Sequence, residues 1–529
     1  MTSSSMSAEA KGSSPPGPAA ERFLQARRTL LADPDRPASV SCPEVCCLSP
    51  EAVRAWRDAD PADGAAERLF ETLAPLGAQP LRLQPVPARA GPDDFDPPPP
   101  AAYCANQGTP RERAHRFADC VRALATDDGP TTLLVAPLAG LRQGRAFFPM
   151  ISGTACASNP YVWSEYLDPQ DGVARLALGL DVPLHDRTGE SFVRTAALGA
   201  PQRRPEADFD DIARHSQRHC HFLDLETARV ERAEASEVLA RSPELPADLL
   251  LSADPSAPSL LQGGATALTF ERLLARTGFP RELQRLLRLL SAGFGAPAEI
   301  AFACHPDAAG LLRIELHFAR PMAKWPAGDL RDQLAGGTAA AAPDVLFETE
   351  GTVVGRSRRQ PLDHLIYVAP ERYARLRLSD RFEIARLLGR LNRGGPKGRR
   401  ALLGPGRWCT TSPELGVPTS FAEIRGTVAL VEIVEMHANL RPEVSRGIHL
   451  LNELAATDML YLALFPGRPH NTLARERLER APNRLAEWLP GAEPWAEVVH
   501  VVDAGGIELL ADSRWQRAVA GKAGVGAGK

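Results

Sequence analysis

HLIYVAP (364–370) runs directly into ERYARLRLSDRFEIARLLGRLNR (371–393), and this junction decides the fold class. The first segment is a short, β-branched and aromatic apolar run, the signature of a buried strand. The second carries apolar residues at helical spacing. The alternation continues outward with a strand at TVALVEIV (427–434), a helix at GIHLLNELAATD (447–458), and strands at MLYLALF (459–465) and AEVVHVVDA (496–504). The N-terminal half reads the same way. RERAHRFADCVRALA (111–125) is helical and TTLLVAPLA (131–139) strand-like. VARLALGL (173–180), AEIAFAC (298–304) and LLRIELHFA (311–319) read as strands, and 270–295 as helices. Interleaved helices and strands predict α/β or α+β layers and exclude a helical bundle. No internal repeat is present.

The chain has 529 residues, 44% of them hydrophobic, which suffices for two or three domains. Residues 1–20, rich in Ser, Pro, Gly and Ala, read as a disordered tail. GPDDFDPPPP (91–100) interrupts both helix and strand, and AGGTAAAAP (335–343) reads as an interdomain linker. This divides the chain into a domain at 21–334, the linker, a second domain at 344–515, and a loose Gly-rich tail at 516–529.

Lys and Arg total 61 against 65 Asp and Glu, so no whole-protein basic field exists to grip nucleic acid. No run of about 18 apolar residues offers a membrane span. The first residues lack the basic start and apolar core of a secretory signal. The nine cysteines form no CxxC pair and read as reduced thiols. The expectation is a cytoplasmic protein with a small-molecule nucleotide or anion as its partner, without nucleic acid or membrane. The protein partner is undefined.

Three clusters carry candidate chemistry. RLNRGGPKGRRALLGPGRW (390–408) sets Arg393, Lys397, Arg399, Arg400 and Arg407 among glycines, Gly404 and Gly406 included. Glycines let backbone N–H groups converge on an anion, and guanidinium groups grip phosphate or carboxylate bidentately. The stretch is not a P-loop, and it reads equally as a solvated basic loop. His215 and His219 in HSQRHCHFLDLE would share a helix face as zinc ligands do, with Cys220 and His221 beside them. Without an HExxH pattern or a partner pair, the alternative is one surface helix and one buried histidine. His449, after Gly447, stands at a helix start where it could exchange protons or contact phosphate, and it could equally be structural.

FFPMISGTACASNPY (147–161), DPQDGVARLALGL (168–180) and SQRHCHFLDLE (216–226) together resemble the nucleotide-binding domain of the pyruvate phosphate dikinase and phosphoenolpyruvate synthase family, an ATP-grasp fold. PAEIAFACHPDAAGLLRIELHFARPM (297–322) resembles its closing strands. LLGPGRWCTTSPELGVPTSFAEI (402–424) and SRGIHLLNELAATDMLYLALFP (445–466) resemble a companion region of a synthase-like subgroup. The resemblance spans roughly 75–515.

It implies a two-lobed ATP-grasp domain followed by a separate α/β domain, with ATP and Mg²⁺ as cofactors and kinase-like phosphotransfer as the activity. Arg145, Arg175, Arg194, Glu299 and Arg320 become the nucleotide-binding candidates. Lys397, Arg399, Arg400, Gly404, Gly406, Arg407 and His449 become an anion-binding loop. No catalytic residue is assigned and no resident metal site is read.

The departures from the family pattern matter as much. The phosphohistidine motif of a full synthase is missing. Gln84, Pro85 and Val86 stand where the pattern has Arg-Ser-Ser, and Ala136 and Pro137 replace a Gln-bearing strand. Ala301 replaces a metal-binding Glu, Phe318 a Gln, Asp181 a Gly and Cys409 another Gly. Ala and Phe supply no hard oxygen to Mg²⁺. The alternative to a kinase-like protein is therefore a catalytically inactive pseudoenzyme, a scaffold or an anion-binding module.

Overall fold

The computed structural model describes residues 17–59, 64–87, 99–124, 131–164, 166–254, 266–323, 330–334, 344–436 and 450–522. The chain is a mixed α/β protein that divides into two compact units. Unit 1 comprises Met1–Ser158, Gln170–Asp186 and Glu190–Met322. Unit 2 comprises Asn159–Pro169, Arg187–Gly189 and Ala323–Lys529. The expected linker at 335–343 and His449 lie outside the described residues.

In unit 1 the strands Ala298–Pro306 and Leu312–Pro321 form a long hairpin that continues through Ile151–Cys156 and Val173–Leu178 to Arg194–Ala197. These neighbours run antiparallel. One face of the sheet buries Ile300, Phe302, Ala155 and Leu176 beneath the helix Phe279–Phe294, which contributes Leu283, Leu286, Leu287 and Leu290. Gly153 admits the Phe302 ring, since a Cβ there would stand 2.3 Å from it. A second sheet places Leu81–Pro87 between Thr131–Pro137 and Ala102–Cys104 and packs against Pro110–Leu124. Pro85 is accommodated because pairing with Ala102–Cys104 ends at Leu83, leaving no ladder partner on that side.

Unit 2 is built on a six-stranded sheet whose four central strands are parallel and lie in chain order: His364–Val368, Arg400–Pro405, Ala429–Ile433 and Leu460–Leu464. Parallel neighbours need crossovers, supplied here by Leu378–Gly394, Phe421–Ile424 and Leu451–Thr457. Leu365, Leu403, Val431 and Leu462 share a core with Phe347, Leu509, Ala511 and Ala518 of a five-stranded antiparallel sheet.

Three expected boundaries differ. The expected helix at 371–393 is two, Pro370–Ala374 and Leu378–Gly394, because Arg377 adopts extended geometry and bonds Asp380 through Nε (3.0 Å) and Nη2 (3.1 Å). Helix Pro18–Ala32 starts inside the stretch read as a tail. Ala19 and Ala20 are small enough to be buried beside Phe23, and Pro18 suits a helix start. Arg517–Lys522, also read as tail, is a strand paired on both sides, with Asp344–Glu350 and Ile507–Asp512. Its small apolar residues Ala518, Val519 and Ala520 are all buried.

Candidate functional site

The closing hairpin of unit 1 sets Glu299 directly opposite Arg320. Their side chains meet through Arg320 Nε and Nη2 at 2.9 Å from the same Glu299 oxygen, 4% and 14% exposed for Glu299 and Arg320 respectively. Arg175 is level with Thr154 and Ala301, one alternation from Glu299, so it shares that face of the sheet. Its Nη1 lies 3.4 Å from the Leu184 carbonyl.

The other two arginines read as nucleotide contacts are elsewhere. Arg194 is level with Leu176, Gly153 and Phe302, and so belongs to the opposite, core-facing row. Its guanidinium donates to the carbonyls of Thr195 (2.9 Å), Pro201 (3.1 Å) and Arg203 (3.2 Å). Burial, with Arg204 nearby, pulls its pKa down to about 9. Arg145 occupies a hairpin turn on another sheet, 2.8 Å from the buried Asp224 and 3.5 Å from Glu231. The five residues therefore do not converge.

What does converge in unit 1 is a buried polar cluster that the sequence reading passed over. Arg82 Nη2, from the centre of Leu81–Pro87, donates to Gln84 Oε1 (2.7 Å) and Asp181 Oδ2 (3.1 Å). The Tyr103 hydroxyl donates to Asp181 Oδ1, and His185 Nε2 stands 3.6 Å from Oδ2. Gln84 Nε2 completes the set by donating to the carbonyls of Pro85 (3.1 Å) and Pro99 (2.8 Å).

Burial alone would raise the Asp181 pKa. The approach of His185 and the Arg82 charge outweigh it, holding the carboxyl well below the usual carboxylate range. Burial and the Asp181 charge push the Tyr103 hydroxyl far up. A register shift between Ala301 and Phe302 leaves His317 as the extra residue opposite Ala301. Burial pushes the His317 pKa down, against the pull of Glu315 at 3.4 Å.

Asp181 thus has a structural use. The signal for Arg82 was a lone cation inside the apolar run PLRLQPV. His185 and His317 gave no signal, because a lone histidine near a strand carries no spacing rule.

The histidine group does not form the helical pair. Helix Phe209–Arg214 ends before His215, and His219 opens the strand His219–Asp224. His215 Nδ1 lies 3.0 Å from the Asp211 carbonyl oxygen, and His219 lies 3.1 Å from Glu234 across the strand pair. Cys220 is buried and its thiol is pushed up to about 12 by desolvation. Among the described residues, no group of three or more His, Cys, Asp or Glu side chains is arranged to hold a metal ion.

In unit 2 the basic stretch is split across the length of a strand. Lys397, Arg399 and Arg400 precede or begin Arg400–Pro405, a strand about 17 Å long, while Arg407 follows its far end. Arg399 is committed to Asp363 through Nε (3.1 Å) and Nη2 (3.0 Å), which draws the Asp363 pKa down to about 2. Arg400 caps the helix Leu378–Gly394 by donating to Leu391 O (3.1 Å) and Asn392 O (3.2 Å). Lys397 is exposed.

The glycines have local reasons. A Cβ on Gly404 would stand 2.6 Å from the Trp408 ring, and Gly406 has φ +61°. Cys409, where the family pattern has glycine, also has a positive φ of 55°. The single anion loop expected from sequence is therefore corrected to two separate basic ends.

The Arg407 end is the carboxyl end of a parallel sheet, the side on which open α/β sheets bind ligands. Glu432 is fully buried there and accepts the Tyr461 hydroxyl (2.6 Å) and the Trp408 backbone N–H (3.1 Å). Among the described residues the Arg407 side chain has no hydrogen-bond or ion-pair partner, and its Nε is shielded from solvent. Burial raises the Cys409 thiol pKa to about 12, so it is no nucleophile at neutral pH.

No protein-family model matches the sequence, and no curated protein matches it. Among the described residues no helix is long and apolar enough to cross a membrane.

Proposed function

We propose that unit 1 is an ATP-grasp-like domain related to the dikinase and synthase nucleotide-binding domain, and that it has given up phosphotransfer. The protein then acts as an anion- or nucleotide-binding module through the Arg407 end of unit 2. The observation that carries this reading is the Glu299–Arg320 pair. The carboxylate available for Mg²⁺ and the guanidinium available for phosphate neutralise each other across one hairpin. The next inward position on each strand, Ala301 opposite Phe318, offers no oxygen. These residues do not fit a Mg²⁺–ATP site, so no phosphoryl step is routed through them. Positioning and charge neutralisation do most of the work in phosphoryl transfer, and both would be missing.

One observation favours a second reading, Mg²⁺–ATP-dependent phosphotransfer. Arg82 is an arginine buried in the first-lobe strand, two residues before the place the resemblance gives to Arg-Ser-Ser. Its engagement with Asp181 and Gln84 weighs against phosphate binding.

Calorimetry separates the readings. The module reading expects no Mg²⁺–ATP binding tighter than about 100 µM at unit 1. It also expects an anion signal that disappears in Arg407→Ala. Tight Mg²⁺–ATP binding abolished by Arg320→Ala or Arg82→Ala would establish the phosphotransfer reading instead.

A further inference from the structure

The amino end of the parallel sheet in unit 2 gathers arginines from three separate stretches of chain around one aspartate. Asp458 follows the helix Leu451–Thr457 in left-handed geometry, φ 55°. Arg358 grips it with Nη2 on Oδ1 and Nη1 on the backbone oxygen, both at 2.8 Å. Arg187 Nη1 approaches the same Oδ1 at only 3.9 Å and makes no hydrogen bond, although that nitrogen is shielded from solvent. The Asp458 pKa is lowered against its burial by Arg358, then Arg187, then Arg356.

Arg425 joins them beside the neighbouring residue. A Cβ on Gly189 would meet Arg425 Nη2 at 3.2 Å and Thr457 Cγ2 at 3.0 Å. Among the described residues no carboxylate lies within ion-pair distance of Arg425. Its buried Nη2 has no hydrogen-bond partner.

A helix carboxyl end attracts cations, and that accounts for Arg358 on the Asp458 carbonyl. It does not account for shielded, unbonded nitrogens on two further arginines. An unbonded guanidinium N–H inside a protein carries the full cost of its lost water, so it calls for a water, an ion or a ligand to complete it. Guanidinium forks match tetrahedral oxyanions, which accept from several directions at once. Gly189, at φ +69°, puts no side chain of its own over Arg425 Nη2.

We propose that Arg187 and Arg425 form a binding site for a phosphate-type dianion, either free or carried as a phosphomonoester, while Arg358 is bound to Asp458 and holds that carboxylate in place. Arg356 adds charge and Gly189 leaves Arg425 Nη2 without a side chain over it from that position. This site is separate from the Arg407 end and does not depend on how that end functions.

The test titrates inorganic phosphate and, in a second arm, glycerol phosphate into the full chain by calorimetry at constant ionic strength. Saturable binding is expected in at least one arm, weakened about tenfold or more in Arg187→Gln and in Arg425→Gln. With the Arg407 end silenced by Arg407→Ala in every sample, Arg399→Gln should bind like its parent. Gly189→Asp, a residue type that tolerates positive φ, sets its own carboxylate against Arg425 and should abolish binding while the protein stays folded. Binding in the glycerol phosphate arm alone would identify a phosphomonoester, and equal binding in both arms a free or terminal phosphate. The proposal is overturned if neither anion binds saturably, or if affinity survives in Gly189→Asp and both arginine variants.

Discussion

Some arginines of the two units are used differently. In unit 1 Arg82 is matched by Asp181, Arg320 by Glu299 and Arg145 by Asp224, while Arg194 is spent on three carbonyls. In unit 2 Arg407 and Arg425 have no partner among the described residues, and Arg187 has only a distant one. A buried cation that is fully bonded holds a fold together. One with an unbonded nitrogen is available to a water, an ion or a ligand. Arg407 and Arg425 are then the ligand-directed cations of the second unit, while Arg358 and Arg399 there are structural like those of the first.

The largest expected effect breaks the first half of that contrast. Asp181→Ala or Glu299→Ala leaves Arg82 or Arg320 buried without its counter-charge, at a cost of about 3–5 kcal/mol in urea unfolding. A loss below about 1 kcal/mol would show that these pairs do not hold unit 1. Next comes Gly404→Ala, whose methyl group meets the Trp408 ring and should cost about 1–3 kcal/mol by the same measurement. If Gly404 served only to expose backbone N–H groups in a flexible loop, stability would not change.

A gain is expected from Cys409→Gly. The left-handed conformation at Cys409 penalises any Cβ, so glycine there should stabilise unit 2 by about 1 kcal/mol.

The smallest effect is in pH. His317, His221, His305 and His500 all have pKa values lowered, first of all by burial. Their stabilising contribution is complete above the unfolded value near 6.5. It declines as pH falls toward the folded values, because the unfolded chain binds the protons first. The urea midpoint should therefore drop between pH 7 and pH 5, and His317→Gln should flatten that slope. A midpoint that rises on acidification would contradict the assignment.

Much of the fold was legible in the sequence because periodicity reports burial directly. Leu460–Leu464 and His364–Val368 are short apolar runs, and Phe279–Phe294 repeats leucine at helical spacing. The missed boundaries share a physical cause. Ala19, Ala20 and Ala518–Ala520 are small residues whose composition resembles a tail until a neighbouring core shows what they fill. The site was less legible. Proximity in RRALLGPGRW looked like one loop, yet the intervening leucines are a strand that separates its ends. Arg187, Arg358, Arg425 and Asp458 lie in stretches far apart in sequence, and only the sheet's crossovers bring them together. The Gly-to-Cys409 departure was visible, and the positive φ there supplies its meaning.

The most direct test of this division of charge is a calorimetric titration of Mg²⁺–ATP into the full chain and its Arg320→Ala and Arg407→Ala variants. The account predicts that any heat of binding is unaffected by Arg320→Ala and lost in Arg407→Ala. Binding tighter than about 100 µM that disappears in Arg320→Ala and persists in Arg407→Ala would contradict it.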